Sequence, residues 1–157
     1  QITVQAAATL GGRFTTALGE PFATPVPELT HLSPLPARVA QCSIDEIARL
    51  GIVSARTRCI LALAEHCAQG TLQLDAASHP DQTISQLLSL PGIGDWTAQY
   101  LAMRALRWPD AFPAGDIVVR NNLGGLSARE AEARSQQWRP WRSYAVMHIW
   151  NSGKLLG

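Results

Sequence analysis

Apolar positions along this chain recur at spacings of three and four residues, and the strict alternation of a half-buried strand is almost absent. From Ile2 to Leu18 the chain is rich in Ala, Thr and Leu, which predicts a first helix ended by Gly19. Pro21, Pro25, Pro27, Pro34 and Pro36 then exclude one long helix and predict an irregular connection, with a short turn over 27–32. Ser43 and Glu46 form a capping box for a helix that Gly51 closes. Ser54 starts the next helix, with Ile60, Leu61, Leu63 and Ala64 as its apolar face and Gly70 as its stop. Asp81 opens a helix through Ile84, Leu87 and Leu88 into Leu90-Pro91-Gly92-Ile93-Gly94, and another begins at Asp95 or Trp96 and runs to Leu106. The stretch 112–122 reads as a turn followed by a short helix. Ser127 and Glu130 make a second capping box, and Pro140 is placed as the first residue of a last helix reaching Trp150. The pattern predicts an all-α chain of one compact domain or two helical lobes.

The segment Leu90-Pro91-Gly92-Ile93-Gly94 is the sharpest local signal. Glycines at 92 and 94 permit unusual backbone angles and close approach by another chain, while Ile93 between them can anchor the turn. The next helix begins within a residue, so its free N–H groups near Gly94, Trp96 and Thr97 suit a phosphate. A tight helix–helix turn without a ligand is the plain alternative. The motif points to DNA and leaves the reaction open.

Composition changes this picture little. Among 157 residues the formal charge is only +1, so a DNA contact must be concentrated and use backbone donors. Every apolar run is broken before membrane-spanning length, which argues against a membrane partner. Cys42, Cys59 and Cys67 form no CxxC pair and read as buried thiols of a reducing cytoplasm. Three cysteines exclude a four-cysteine iron–sulfur cluster. His31, His66 and His79 lack metal-ligand spacing with them, and His148 reads as a core or capping group. The absence of an initiator Met makes Gln1 read as a boundary within a longer protein.

Downstream of the hairpin stand Phe112-Pro113-Ala114-Gly115-Asp116, then Trp138-Arg139-Pro140-Trp141-Arg142-Ser143-Tyr144-Ala145 and His148-Ile149-Trp150. Together with the hairpin, these closely resemble the helix-hairpin-helix DNA glycosylase superfamily, and within it the 3-methyladenine DNA glycosylase II (AlkA-type) family. The resemblance spans nearly the whole chain. It implies a helix-hairpin-helix glycosylase fold over 1–157, the hairpin at about 81–106, two helical lobes with an active-site cleft between them, and an upstream domain lying outside this chain.

By position, the resemblance makes Asp116 the catalytic aspartate and places Trp96, Tyr100 and Trp150 in the base pocket. Trp96 stands where bifunctional members carry a Schiff-base lysine, and the only lysine is Lys154, so a lysine-dependent lyase is not expected. Gly92, Gly94, Thr97 and Arg120 are expected on DNA, with Gln1 at or beside the wedge position. The carbonyls of Leu88, Leu90 and Ile93 match those that hold a structural monovalent or divalent cation; no other cofactor is implied. Ile117 departs from the aromatic residue that some relatives carry after the aspartate.

The implied reaction is monofunctional excision of alkylated bases such as 3-methyladenine and 7-methylguanine from double-stranded DNA, in base excision repair. The implied protein is a cytoplasmic monomer, nucleoid-associated if bacterial. A carboxylate opposite the sugar would stabilise an oxocarbenium-like transition state, although Asp116 also reads as a plain helix N-cap. Stacking on electron-rich rings would favour cationic bases, whereas Trp138 and Trp141 read as core. Arg142 reads either as a phosphate contact or as a brace for Asp or Glu. The competing readings are a non-catalytic DNA-binding module and a glycosylase of the same fold for uracil, hypoxanthine or mismatched bases.

Overall fold

The computed structural model describes residues 3–152; Gln1 and Lys154 therefore lie outside the described residues. Within these the regular elements are helical, and the only strand-like pairing is an isolated bridge between Pro21 and His31. No helix among the described residues is long and apolar enough to cross a membrane. The chain divides into two compact units, the first running to Leu72 and including Leu90–Gly92, the second comprising Gln73–Ser89 and the residues from Ile93 onward.

In the first unit, α1 (Val4–Leu18) opens where the Thr3 hydroxyl accepts the Ala6 N–H at 3.1 Å. Then come α2 (Pro36–Ala40), α3 (Ile44–Ala48) and α4 (Ser54–Ala68). Their core is Val39, Cys42, Ile47, Ile52 and Ala64, covered by Leu10, Phe14, Leu18, Ile60 and Leu61. Helix α2 was not expected from the proline-rich run. Pro36 sits in its first turn, where a missing N–H costs nothing and a fixed φ favours the helix.

Gly19 closes α1 with its N–H on the Thr15 carbonyl at 2.8 Å. Its φ is ordinary, so the need for glycine comes from proximity. A Cβ there would overlap the Leu32 carbonyl oxygen and stand 2.6 Å from the Thr15 carbonyl oxygen. Both neighbours are backbone and can yield only by moving the connection that Leu32 N–H ties to Glu20. Gly19→Ala is expected to destabilise the chain by about 1–3 kcal/mol, read as a lower denaturant midpoint with unchanged slope.

Both predicted capping boxes form. Ser43 N–H donates to Glu46 at 2.6 Å and Ser127 N–H to Glu130 at 2.8 Å. Glu46 is held below the ordinary carboxylate range first by the Ser43 N–H and then by its hydroxyl; for Glu130 the Ser127 hydroxyl leads and the N–H follows. A carboxyl with a lowered folded pKa adds stability that is complete above its unfolded pKa and disappears as pH falls through the folded value. Thermal melts should therefore lose stability between mildly acidic and strongly acidic pH, and Ser43→Ala with Ser127→Ala should flatten that dependence.

The second unit holds α5 (Pro80–Ser89), α6 (Asp95–Arg104), α7 (Ile117–Asn122), α8 (Ala128–Ser135), a 3-10 turn (Gln136–Trp138) and α9 (Arg142–Ser152). Buried Leu87, Ala98, Ala102, Met103, Leu106, Phe112, Val119 and Val146 form much of its interior. Two boundaries differ from the sequence expectation. Helix α6 stops at Arg104 because the N–H groups of Ala105 and Leu106 both return to the Leu101 carbonyl and Arg107 takes a φ of +56°. Helix α9 begins at Arg142 rather than Pro140, because Trp141 N–H is still closing a turn onto the Trp138 carbonyl at 2.7 Å.

Candidate active site

The site is assembled within the second unit from α6, the start of α7 and α9. On α6, Trp96 and Tyr100 lie one turn apart and stack nearly parallel, with centroids 5.2 Å apart and an interplanar angle of 11°. Trp150 arrives from α9 and tilts against Tyr100 at 6.1 Å. Buried Phe112 fixes the turn that follows α6, its N–H bonded to the Gln99 side-chain oxygen at 3.1 Å. Asp116 N–H then closes onto the Pro113 carbonyl at 2.8 Å, which aims the Asp116 side chain at the aromatic group.

Asp116 is 7% exposed and acts as the N-cap of α7, Oδ1 accepting the Val119 N–H at 2.9 Å. The Trp96 Nε1–H donates to Oδ2 at 2.7 Å, and the Trp150 Nε1–H donates to Oδ1 at 3.2 Å. All three donors are neutral N–H groups. Among the described residues no ion pair involves this carboxylate. A buried acidic side chain with hydrogen bonds but no countercharge is costly to keep in a fold. Such a group is suited to meeting positive charge brought by a ligand.

Asp116, Trp96, Tyr100 and Trp150, named from the sequence, are thus brought together. The indole hydrogen bonds to Asp116 were not anticipated; the four-residue spacing of Trp96 and Tyr100 puts them on one helical face and says nothing about where the ring N–H points. Arg104 was missed as well. One turn beyond Tyr100, its guanidinium carbon lies 5.6 Å from the Tyr100 centroid and 5.9 Å from that of Trp150.

Other named residues fall into separate roles. Gly92 has φ +85°, and a Cβ there would stand 3.2 Å from the Cys59 Cβ, so glycine is required on both counts. Gly94 is extended, with open space around it, and gives free access to the start of α6. The first backbone bond of α6 runs from Ala98 N–H to the Gly94 carbonyl at 3.0 Å, leaving the N–H groups of Asp95, Trp96 and Thr97 as the helix's opening donors. The carbonyls of Leu88, Leu90 and Ile93 accept none of the turn and cap hydrogen bonds among the described residues, a donor set that fits a hard cation. Arg120 is half-buried, with Nε donating to the Leu126 carbonyl at 2.7 Å. Gln1, the wedge candidate, lies outside the described residues.

Of the two roles open to Arg142, the structure shows the brace. Its Nε donates to Asp110 Oδ1 at 2.8 Å, one terminal nitrogen to Glu132 at 3.0 Å and the other to the Asp110 carbonyl at 2.7 Å. Arg139 adds a second contact to Asp110 at 2.9 Å. Ser143 Oγ lies 2.8 Å from the Trp108 carbonyl and 3.0 Å from that of Ala111. This polar cluster ties the start of α9 to the segment that leads into Asp116.

Two expectations are corrected here. Trp141 is not core: it is 58% exposed, edge-on to Tyr144, because it precedes the buried face that α9 begins with Arg142 and Ser143. His148 is exposed because that same face continues through Val146 and turns position 148 outward. Trp138 is half-buried with its ring edge-on to Phe112, so it packs on the core without being part of its buried interior.

No family model matches the chain. A probable bifunctional transcriptional activator/DNA repair enzyme AlkA of Mycobacterium tuberculosis is 42% identical over 156 residues, 97% of this chain and 31% of that protein. DNA-3-methyladenine glycosylase 2 of Escherichia coli K12 is 32% identical over 117 residues, 74% of this chain and 42% of that protein. The chain thus spans less than half the length of these curated relatives. Among solved structures, a 3-methyladenine DNA glycosylase from Archaeoglobus fulgidus matches with TM-score 0.82 at 18% identity, over 100% of this chain and 55% of its own. A 3-methyladenine DNA glycosylase from Schizosaccharomyces pombe, in complex with abasic DNA, matches with TM-score 0.80 at 20% identity, over 98% of this chain and 75% of its own.

The helices, the hairpin and these likenesses define a helix-hairpin-helix DNA glycosylase fold. Within that superfamily the chain belongs to the 3-methyladenine DNA glycosylase II, or AlkA-type, family.

Proposed function

We propose that this chain carries the catalytic site of a monofunctional DNA glycosylase that hydrolyses the N-glycosidic bond of alkylated purines. The observation that carries the reading is the buried Asp116 carboxylate, free of any ion pair among the described residues and framed by three aromatic rings. Methylation at N3 of adenine or N7 of guanine places positive charge on the base. Such a base departs readily with the glycosidic electron pair, and positive charge then develops on the sugar. Asp116, in no ion pair among the described residues, faces that charge; water adds to the anomeric carbon, and the water's proton passes to the carboxylate or solvent.

The substrate base must first leave the duplex, at a cost of a few kcal/mol. Trp96 is 42% exposed and offers a ring face on which the everted base can stack. The opening N–H groups of α6 suit a backbone phosphate. The carbonyls of Leu88, Leu90 and Ile93 would hold a structural cation that adds positive charge beside that phosphate. A single copy of the chain carries all these groups, so action as a monomer on double-stranded DNA requires no residue from a second copy.

The test is base release from methylated duplex DNA by this chain and by the full-length protein, beside a panel of single-lesion duplexes. Release of 3-methyladenine or 7-methylguanine is expected. Salt-sensitive DNA binding by both proteins with no base released would establish a binding module instead. Release confined to uracil, hypoxanthine or a mismatched base would keep the reaction and reassign the substrate.

A further inference from the structure

Trp96, Tyr100 and Arg104 follow one another every four residues along α6, so each side chain lies one turn from the next. Trp96 covers Tyr100 from the N-terminal side at 5.2 Å, and the Arg104 guanidinium lies over the same ring from the C-terminal side at 5.6 Å. Both faces of Tyr100 are therefore occupied. The guanidinium also lies within cation–π range of Trp150, at 5.9 Å, while the Trp150 N–H is engaged with Asp116. Arg104 itself is exposed and takes part in none of the ion pairs among the described residues.

We propose that Arg104 is a specificity-determining residue: a resident cation on Tyr100 and Trp150 that leaves the outer face of Trp96 as the stacking surface for the substrate base. The proposal rests on the base-pocket reading above and deepens it. A base carrying positive charge gains from electron-rich rings, yet two of the three rings already serve a fixed positive charge. The same charge repels a cationic base anywhere in the pocket and leaves a neutral one unaffected. Arg104 thereby lowers the advantage of cationic over neutral damaged purines and widens the range of bases the pocket accepts. Removing the charge should sharpen the preference for cationic bases, the opposite of what damage to the pocket would do.

The experiment measures dissociation constants for two matched duplexes. One carries a single 7-methylguanine on a 2′-fluorinated sugar, which resists cleavage; the other carries hypoxanthine on the same sugar. Wild type, Arg104→Gln, Arg104→Met and Arg104→Lys are compared. The ratio of the two affinities is expected to move toward the cationic base by about three- to fivefold in Arg104→Gln and Arg104→Met, and to stay at the wild-type value in Arg104→Lys. An unchanged ratio in both neutral variants, whether the affinities fall together or hold, overturns the proposal while leaving the glycosylase reading intact. If wild type binds neither lesion more tightly than undamaged duplex, base recognition by this pocket fails, and the proposal fails with it.

Discussion

Asp116→Asn is expected to leave the chain folded and able to hold DNA while lowering base release by on the order of a hundred- to a thousandfold. Asparagine is as good an N-cap as aspartate, so its oxygen can keep the Val119 N–H and the start of α7. The substitution removes the negative charge, and with the oxygen kept on the Val119 and Trp150 N–H groups it places an NH₂ group against the Trp96 N–H. The loss should therefore appear in the single-turnover rate of excision, with a much smaller effect on affinity for undamaged duplex. Melting temperature and undamaged-DNA affinity serve as controls for the fold. Undiminished excision by this variant would remove Asp116 from the mechanism.

Arg142→Ala should be the most damaging single change to stability, at about 3–5 kcal/mol, or roughly 6–20 °C in melting temperature for a chain of this size. The guanidinium is buried, with its side chain 5% exposed, and it is the principal partner of buried Asp110. Truncation would leave that carboxylate with the half-exposed Arg139 as its only countercharge and with the long backbone N–H contact from residue 142. Arg142→Lys should recover little, because an ammonium cannot bridge the Asp110 carboxylate, the Asp110 carbonyl and Glu132 from one planar group. Since Asp110 lies six residues before Asp116, partial recovery of the fold in either variant should still leave excision impaired. Calorimetry gives the first effect, and excision rates measured below the lowered melting temperature give the second.

Much of this architecture is legible in the chain itself, for local reasons. Ser43 with Glu46 and Ser127 with Glu130 specify helix starts within four residues, and the structure contains both boxes. The Gly92 turn is local in its positive φ, whereas its tight neighbour, Cys59, is distant in sequence. What stayed hidden depends on partners distant in sequence. Nothing near Asp116 announces that indoles from positions 96 and 150 will donate to its two oxygens. The Arg142 brace had no unique partner in the sequence, since Asp110 lies 32 residues away and acquires its meaning only when α9 docks. Trp141 misled because a large aromatic usually seeks the interior, and only the true start of α9 shows that its ring lies outside. Helix α2 was missed because proline is a helix breaker everywhere except in a first turn.

Both functional expectations reduce to the idea that a buried, uncompensated carboxylate is reserved for charge on the sugar. The most direct test is the affinity for a duplex in which one sugar is replaced by a protonated pyrrolidine, compared with the same duplex carrying a neutral tetrahydrofuran. Wild type should bind the cationic ring more tightly by at least tenfold, about 1.4 kcal/mol, and Asp116→Asn should erase that difference. An equal preference in both proteins, or none in wild type, would show that Asp116 does not face the reacting sugar.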